Sequence, residues 1–292
     1  MEASIRQYLL IFLGIALTTS LLEGIVLTLM RKNYNWRATA ASLFIVVGRR
    51  FVEVTPLAFA LPGGLWLYEH RLFNFEMNQW WYWALLFLGL EFFYYWYHRS
   101  AHRMRWFWAS HSVHHSPNEF NFSAAYRLSW TSRLTMALIF FLPLTWIGFL
   151  PQAIVAAYAV NLLYQFWIHA EWIPKLGPLE GILNTPSAHR VHHAANLGYL
   201  DSNYGGVLMV FDRLFGTYRP EREGVEIRYG FVEPLLSNNP LKILFMPWFA
   251  LFGDLKKAKS FGEALKYLYK PPGWSPEGAG KTTEQLRARA EM

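Results

Sequence analysis

The chain of 292 residues contains no cysteine. Disulfide bonds and thiolate metal ligands are therefore both excluded. A transition-metal site in this protein has to be built from imidazole, carboxylate, main-chain carbonyl or water ligands. The same absence excludes an iron–sulfur cluster held by cysteine thiolates.

Charged residues are also scarce. They make up 16% of the chain, whereas 53% of the residues are hydrophobic and 18% are aromatic. Long uncharged runs in such a composition indicate a polytopic membrane protein, and 14 Trp and 16 Tyr suit an extensive membrane–water boundary. The formal net charge is +7, but the basic residues flank apolar segments, which favours contact with anionic headgroups over nucleic acid.

Five apolar segments are predicted to lie in the membrane. They are residues 8–30, 51–68, 80–97, 134–150 and 153–168. The first segment is too long for a signal peptide and lacks a small-residue cleavage site, so we expect a retained anchor. The second contains Pro56, Pro62, Gly63 and Gly64, and it is predicted to be either a full span or a broken, re-entrant helix.

Basic residues between the first two apolar segments set the predicted orientation. Five cationic side chains lie there: Arg31, Lys32, Arg37, Arg49 and Arg50. The positive-inside rule places this loop on the cytoplasmic side. The segment 80–97 then ends on that side, and the hairpin of 134–150 and 153–168 returns the chain to it.

The sequence therefore predicts an all-α integral membrane protein. A helical bundle of about four to five spans carries a cytoplasmic helical cap, formed by residues 99–133 and 170–270, in one membrane-embedded domain of residues 1–270. Within the cap, residues 241–252 are a candidate interfacial amphipathic helix. Residues 271–292 are rich in Pro, Gly and charge, which is typical of a mobile tail. We expect location in a bacterial inner membrane, or in the endoplasmic reticulum of a eukaryote.

Nine of the ten histidines gather at the predicted cytoplasmic face. They are His98, His102, His111, His114, His115, His169, His189, His192 and His193. Histidines four apart on a helix share a face, whereas adjacent ones point about 100° apart and can reach different metals. Since one zinc ion needs three or four protein ligands, nine donors predict a dinuclear centre. The alternative is a set of boundary histidines without a common role, but three clusters on one face disfavour it. His70 lies on the opposite side and is left out.

Three polar side chains within the spans are candidates to support the histidines. Glu91 lies two helical turns before His98, on the same face, and Asn161 and Gln165 precede His169 at four-residue steps. Their predicted role is to accept a hydrogen bond from an imidazole N–H or to balance the metal charge. The alternative is hydrogen bonding between helices.

Two further polar residues follow the third histidine cluster. Asp201 and Asn203, with Tyr204 next to them, are close enough in sequence to orient its imidazoles. Asp and Asn also favour turns, so turn formation ahead of Gly205 and Gly206 is the alternative.

Several motifs together resemble the fatty acid hydroxylase/sterol desaturase superfamily of membrane di-iron enzymes. The resemblance covers about residues 80–218. Its motifs are the runs 91–99 (EFFYYWYHR), 110–116 (SHSVHHS), 184–193 (NTPSAHRVHH) and 203–206 (NYGG). The further run 211–217 (FDRLFGT) is most similar to the alkylglycerol monooxygenase branch.

The resemblance implies a function and a set of ligands. The metal ligands of the superfamily fall on the nine histidines named above, and the metal would be iron, two ions per chain, with zinc able to replace it during purification. Some members carry an additional histidine where this chain has Ile173. The implied reaction uses dioxygen and an external electron donor, a redox protein or tetrahydrobiopterin, to hydroxylate a lipid drawn from the bilayer. The cleavage of an alkylglycerol ether is the specific form that the branch implies.

Alternatives remain open at this point. The spacing of the histidines alone suits iron, zinc or copper. Desaturation of a sterol or acyl chain, or oxidation of a sterol C-4 methyl group, would use the same site. A metal transporter is a third possibility, but transporters hold their ligands near the bilayer midplane, whereas these histidines follow the ends of predicted spans.

Overall fold

The computed structural model describes residues 2–52, 60–132, 134–278 and 280–290. Within these ranges the chain forms helices and isolated bridges and no extended strand, which confirms the all-α prediction. The α-helices are α1 (Glu2–Leu29), α2 (Trp36–Val52), α3 (Ala60–Glu69), α4 (Trp80–Arg103), α5 (Arg105–His111), α6 (Phe122–Ala125), α7 (Leu142–Ile147), α8 (Pro151–Trp167), α9 (Pro186–His192), α10 (Val210–Leu214), α11 (Pro240–Leu255), α12 (Phe261–Tyr269) and α13 (Thr283–Ala290). Two 3-10 helices cover Ala137–Phe141 and Gly177–Leu179.

Helix α1 has the strongest membrane signature in the described part of the chain. Its segment Ile11–Leu29 is the one stretch there that is long and apolar enough to cross a membrane. The helix is tied to the rest of the fold by Glu23, whose carboxylate accepts hydrogen bonds from Phe122 N (2.8 Å) and Trp172 Nε1 (2.9 Å). These bonds satisfy a carboxylate that would be costly within an apolar helix.

The predicted span 134–150 is not one helix in the structure. A 3-10 helix (Ala137–Phe141) is followed by the six-residue helix α7. Pro143 in the first turn of α7 and Gly148, at φ 135°, explain where this short helix begins and ends. The segment is apolar as predicted, but it forms two short helices in place of one continuous span.

The other predicted spans correspond to helices with different bounds. Helix α4 covers the predicted span 80–97 and continues through Arg103. Helix α8 covers nearly all of the predicted span 153–168. The second predicted segment, 51–68, is partly outside the described residues, and its second half belongs to the ten-residue helix α3. Helix α2 occupies part of the stretch that was predicted to be a basic loop. The number of membrane crossings and the cytoplasmic cap stay predictions.

The core that positions the site lies between α4, α7 and α8. Tyr82, Leu86 and Leu90 of α4 pack against Leu144 of α7 and Ile154 of α8, and all five are buried. Burial of such apolar side chains is the main favourable term in folding. This packing fixes the axial position of α4 relative to α8, and hence of the histidines at their ends.

The predicted amphipathic helix at 241–252 is confirmed as a helix, α11, but one face is packed. Ile243 and Leu244 join a core cluster with α2, and Trp248 and Leu251 pack beside α5. Phe249, on the opposite face, is 72% exposed. A membrane contact of this helix would therefore use only its outer face.

The C-terminal segment 271–292 was predicted to be a mobile tail, but the described part of it makes specific contacts with other segments. Helix α13 lies here, and its Arg287 donates hydrogen bonds to the carbonyls of Leu197 (2.9 Å) and Leu200 (2.5 Å). Glu284 pairs with Arg103 at 2.5 Å. Composition concealed these specific contacts, because they are made by the same polar side chains that usually indicate a free tail.

Candidate metal centre

Four segments of the chain deliver the nine histidines to one place. Helix α4 carries the first pair one turn apart, and α5 ends at His111, where a turn presents the rest of the second cluster. His169 follows the end of α8. Helix α9 carries His189 and His192, and His193 follows it as the C-cap. Its N-cap is Thr185, whose side chain accepts a hydrogen bond from Ala188 N (3.3 Å).

The nine imidazoles divide into two groups, each with its ring nitrogens within 4.8 Å of one another. The five-histidine cluster contains His98, His102, His111, His115 and His192. The four-histidine cluster contains His114, His169, His189 and His193. The adjacent pairs 114–115 and 192–193 are each split between the two clusters, which is the arrangement that helical geometry predicted for neighbouring residues.

The spacing of the ring nitrogens fits metal coordination. The Nε2 atoms of His98 and His111 are 3.0 Å apart, as are those of His169 and His189. Two imidazole nitrogens about 2.1 Å from one ion and at right angles to each other would be about 3.0 Å apart. Buried Nε2 atoms of His102, His192 and His193 have no hydrogen-bond partner among the described residues. These nitrogens fit the role of metal ligands, since buried polar atoms normally have a partner.

Burial also sets the protonation state that metal binding needs. Desolvation lowers the pKa of His169 to about 3 and that of His192 to about 4. The pKa values of His102, His114 and His193 are lowered well below the usual range for the same reason, with a further contribution from neighbouring histidines. The imidazoles are therefore neutral at physiological pH and keep a lone pair for a metal.

Main-chain carbonyls orient three of the rings. The Nδ1 atom of His98 lies 2.8 Å from Tyr204 O, that of His192 lies 2.9 Å from Ser202 O, and that of His169 lies 2.7 Å from Gln165 O. A carbonyl can only accept, so Nδ1 donates in each pair and Nε2 is left free to bind a metal.

The loop that supplies two of these carbonyls is held by buried carboxylates. Asp212 accepts hydrogen bonds from the N–H groups of Tyr204 and Gly205 and from Thr217 Oγ1, each at 2.7 Å. Burial raises the pKa of Asp212 to about 6, so the carboxylate form still predominates at neutral pH. We call these three hydrogen bonds of Asp212 the loop clamp. They fix the position of the Tyr204 carbonyl beside His98.

Glu91 holds the same loop further along and does not contact an imidazole. Its Oε2 accepts hydrogen bonds from the N–H groups of Val207 and Leu208, both at 2.8 Å, and Oε1 accepts from Asn161. The expected hydrogen bond from a histidine to Glu91 is therefore replaced by bonds from two main-chain amides, which satisfy this buried carboxylate directly. Glu91 acts on the site through the loop.

The remaining predicted residues have mixed positions. Gln165 donates to Asn161 Oδ1 (2.6 Å) and accepts from Tyr94 Oη (3.0 Å). Because Asn161 in turn donates to Glu91, the side chains of Gln165 and Asn161 connect α8 with α4. Only the main-chain carbonyl of Gln165 contacts an imidazole, that of His169. Asp201 Oδ1 lies 3.8 Å from His102 Nδ1. Asn203 donates to the carbonyls of Ala188 (3.0 Å) and Arg219 (2.8 Å).

The turn alternative for Asp201 and Asn203 has direct support in the backbone. Their φ angles are 54° and 58°, a left-handed conformation that Asp and Asn adopt more readily than other non-glycine residues. Two residues of this region, Ser202 and Asp212, were not predicted from the sequence, and neither was the contact of the Tyr204 carbonyl with His98. Only Asp212 had a sequence signal, as a carboxylate in the run 211–217.

Comparison with known proteins finds one matching family model and several similar proteins. Residues 83–217 match the model of the family described as fatty acid hydroxylase. Alkylglycerol monooxygenase of Homo sapiens is 42% identical over 218 residues, which cover 74% of this chain and 48% of that protein. The Xenopus tropicalis protein of the same name is 40% identical over 71% of this chain and 46% of its own length.

A bacterial relative is more distant. Ornithine lipid hydroxylase OlsE of Rhizobium tropici is 30% identical over 50% of this chain and 45% of its own length. The chain thus spans about half the length of these curated relatives. No solved structure matches it.

Proposed function

Because residues 83–217 belong to the fatty acid hydroxylase family, we propose that this chain is a di-iron lipid monooxygenase that hydroxylates a C–H bond. The observation that carries the proposal is the division of nine imidazoles into two adjacent clusters, with His111 partly exposed and the other eight buried. An all-imidazole donor set suits iron, zinc or copper, and membership of this family favours iron.

The two clusters would each hold one ion, with five and four imidazoles respectively. Two ferrous ions bound there would supply the activation of dioxygen that oxidation of an unactivated C–H bond requires. The contribution of the chain is to keep the imidazoles neutral and oriented through the carbonyls of Ser202, Tyr204 and Gln165. Electrons would come from an external donor, either a separate redox protein or tetrahydrobiopterin.

Two aromatic side chains pack against the clusters and cover part of them. The ring of Trp108 lies 5.3 Å from that of His102 in the five-histidine cluster. The ring of Phe120 lies 5.4 Å from that of His169 in the four-histidine cluster. Exclusion of water from a site of oxidation limits side reactions, so this covering supports an oxygenase more than an open metal-binding surface.

The substrate would enter from the bilayer. We place α1, α4 and α8 across the membrane. The broken apolar segments that contain the short helices α3 and α7 would complete a bundle of four to five crossings, since neither short helix could cross alone. The basic residues Arg31 and Lys32 follow α1, which supports a site on the cytoplasmic face. The membrane would be a bacterial inner membrane, or the endoplasmic reticulum if the source is eukaryotic.

The names of the relatives favour an ether lipid as substrate. Hydroxylation of the carbon next to the ether oxygen would insert one atom of dioxygen, while the other atom is reduced to water by two electrons from the donor. The resulting hemiacetal would break its C–O bond to give a fatty aldehyde and a free glycerol hydroxyl. An ornithine lipid is the second substrate to compare, because one relative is named for its hydroxylation.

The test is oxygen-dependent turnover of a lipid panel by protein reconstituted in lipid nanodiscs with ferrous iron. Heavy-isotope dioxygen and each of the two reductants would be supplied, and products would be identified by mass spectrometry. With an alkylglycerol as substrate we expect the label in the released fatty aldehyde, which is trapped at once because its carbonyl oxygen exchanges with water. We also expect loss of activity in His114→Ala and full activity in the control His70→Ala, whose ring stacks on Trp66. Iron-loaded protein that oxidises no lipid of the panel with either reductant would refute the proposal.

A further inference from the structure

A cavity of about 450 Å³ is separated from the four-histidine cluster by one side chain, Phe120. Its wall begins at Leu27, near the end of the apolar segment of α1, and continues through Asn33, Asn118 and Phe120. The cavity therefore reaches from the end of the candidate membrane helix to a side chain that contacts the four-histidine cluster.

Phe120 is the partition between this cavity and the histidines. The side chain is 3% exposed, and its ring stacks on His169 at 5.4 Å and lies 5.2 Å from the ring of His193. Tyr229 stacks on Phe120 at 5.1 Å with an interplanar angle of 14° and also lines the cavity. A molecule in the cavity would thus be one aromatic ring away from the imidazoles.

The lining is amphiphilic and carries one net negative charge. Leu27 and Ile227 provide apolar surface, and Asn33 provides an amide. The charged side chains are Glu119, Glu171 and Arg228. This combination suits an uncharged ligand that bears hydroxyl groups beside an apolar portion, because the carboxylates and the amide can accept hydrogen bonds from hydroxyl groups and the surplus negative charge disfavours an anionic headgroup.

The hydroxyl of Tyr229 gives the independent indication of a ligand. Its Oη is buried and has no hydrogen-bond partner among the residues that the structure describes. Buried hydroxyl groups in folded proteins are normally paired, and a group at a cavity wall can be paired by what the cavity holds. Together with Phe120, this unpaired hydroxyl marks the place where a polar headgroup would be recognised.

We propose that this cavity binds the uncharged, hydroxyl-bearing headgroup of the lipid substrate, with a hydrogen bond between Tyr229 Oη and a headgroup oxygen. The assignment rests on the proposed function for the identity of the ligand as a lipid. With the headgroup in place, the first carbons of the chain lie beside Phe120 and the four-histidine cluster. Tyr229 is then a determinant of headgroup specificity.

Because the chain has no cysteine, one introduced thiol can report on the cavity. Ile227→Cys places it in the lining, and Leu265→Cys on α12 is the control outside the cavity. Alkylation is followed in iron-loaded protein in nanodiscs, without dioxygen and reductant, so no turnover is needed. Hexadecylglycerol at about ten times its dissociation constant should slow alkylation of the cavity thiol by about tenfold, because only free protein reacts.

The same assay separates the alternatives. Hexadecane and hexadecylphosphocholine should give no protection, and neither should tetrahydrobiopterin. Protection by the pterin alone would overturn the proposal and make the cavity a reductant site, and equal protection by all three lipids would overturn the claim of headgroup recognition. Protection without lipid oxidation under turnover conditions would refute the proposed function and leave the binding site standing.

A second variant tests the hydrogen bond itself. Tyr229→Phe removes only the hydroxyl, and we expect it to weaken hexadecylglycerol binding by about tenfold, which corresponds to about 1.4 kcal/mol. In turnover the KM should rise by a similar factor with kcat little changed, since the group binds the headgroup and not the reacting carbon. Tyr269→Phe, on the exposed part of α12, is the matched control. Unchanged binding in Tyr229→Phe would contradict the assignment of this hydroxyl.

Discussion

Replacement of Asp212 by asparagine isolates the effect of the loop clamp on the metal centre. The side chain keeps its size and position, but one of its two acceptor oxygens becomes an N–H donor. In the native chain these oxygens accept from Tyr204 N, Gly205 N and Thr217 Oγ1. The variant therefore leaves at least one buried N–H of the turn facing another donor, next to the carbonyl that orients His98.

The magnitude follows from these contacts. An unpaired buried donor costs roughly 1–3 kcal/mol, which is enough to displace the Tyr204–Gly205 turn without unfolding the helices. Loss of a partner that orients a metal-bound imidazole lowers metal affinity by about 10–100-fold. The histidines that Tyr204 contacts, His98, His102 and His192, all belong to the five-histidine cluster, so we expect this loss at one of the two metal sites.

The assay is equilibrium dialysis of iron-loaded Asp212→Asn against increasing concentrations of a chelator, with the bound metal counted at each step. One ion should leave at a chelator concentration about 10–100-fold lower than in the native protein, and the other should leave at the native concentration. Asp254→Asn is the control, because Asp254 pairs with Arg105 and Lys257 away from the clusters. If hydrogen exchange shows a loosened turn while both ions keep native affinity, carbonyl orientation does not control binding and the reasoning is refuted.

Three other predictions concern separate parts of the site. His115→Ala should abolish lipid oxidation while membrane insertion, measured by fractionation, matches that of His70→Ala; retained turnover would remove His115 from the ligands. In chelator-treated protein the free energy of unfolding should fall as pH decreases from about 6.5 towards 3. Burial lowers the pKa of His169 from 6.5 to about 3 in the folded state, so in this range the unfolded state binds a proton that the folded state does not. Denaturant titrations that show constant stability between these pH values would contradict this. Gly206→Ala should lower the thermal midpoint by several degrees. Its Cβ would lie 2.3 Å from Asn161 Nδ2, and overpacking of this kind lowers the free energy of unfolding by about 1–3 kcal/mol. An unchanged midpoint would show that Asn161 moves without cost.

The histidine clusters were accessible to sequence analysis for a physical reason. Imidazole nitrogens are side-chain groups, so their number and spacing are visible in the sequence. The separation of His114 from His115 was predicted from helical geometry, but the structure produces it with a turn after α5. The structure brings the same nine residues together in two groups. Their role as ligands stays a prediction.

The supporting contacts were less accessible. The carbonyls that orient His98 and His192 belong to Tyr204 and Ser202, and every residue carries such a carbonyl, so no residue type indicates it. Glu91 was correctly singled out as a buried carboxylate, but its partners are main-chain amides 116 and 117 residues away. Only the folded backbone shows which amides those are.

Membrane segments were predicted from composition, and composition does not report helix breaks. The stretch 134–150 is apolar throughout, yet Gly148 at φ 135° and a proline in the first turn of α7 divide it. A hydropathy window averages over such local backbone effects.

The four separate segments that meet at the histidine clusters have a consequence for how this chain stays folded. Two ions bound there would tie the end of α4, the turn after α5, the end of α8 and helix α9 to one another. Because these segments come together only in the folded chain, the ions would bind the folded state in preference to the unfolded state and so stabilise it. Loss of iron would then shorten the lifetime of the folded protein as well as stop its chemistry, so iron supply would control the amount of enzyme present.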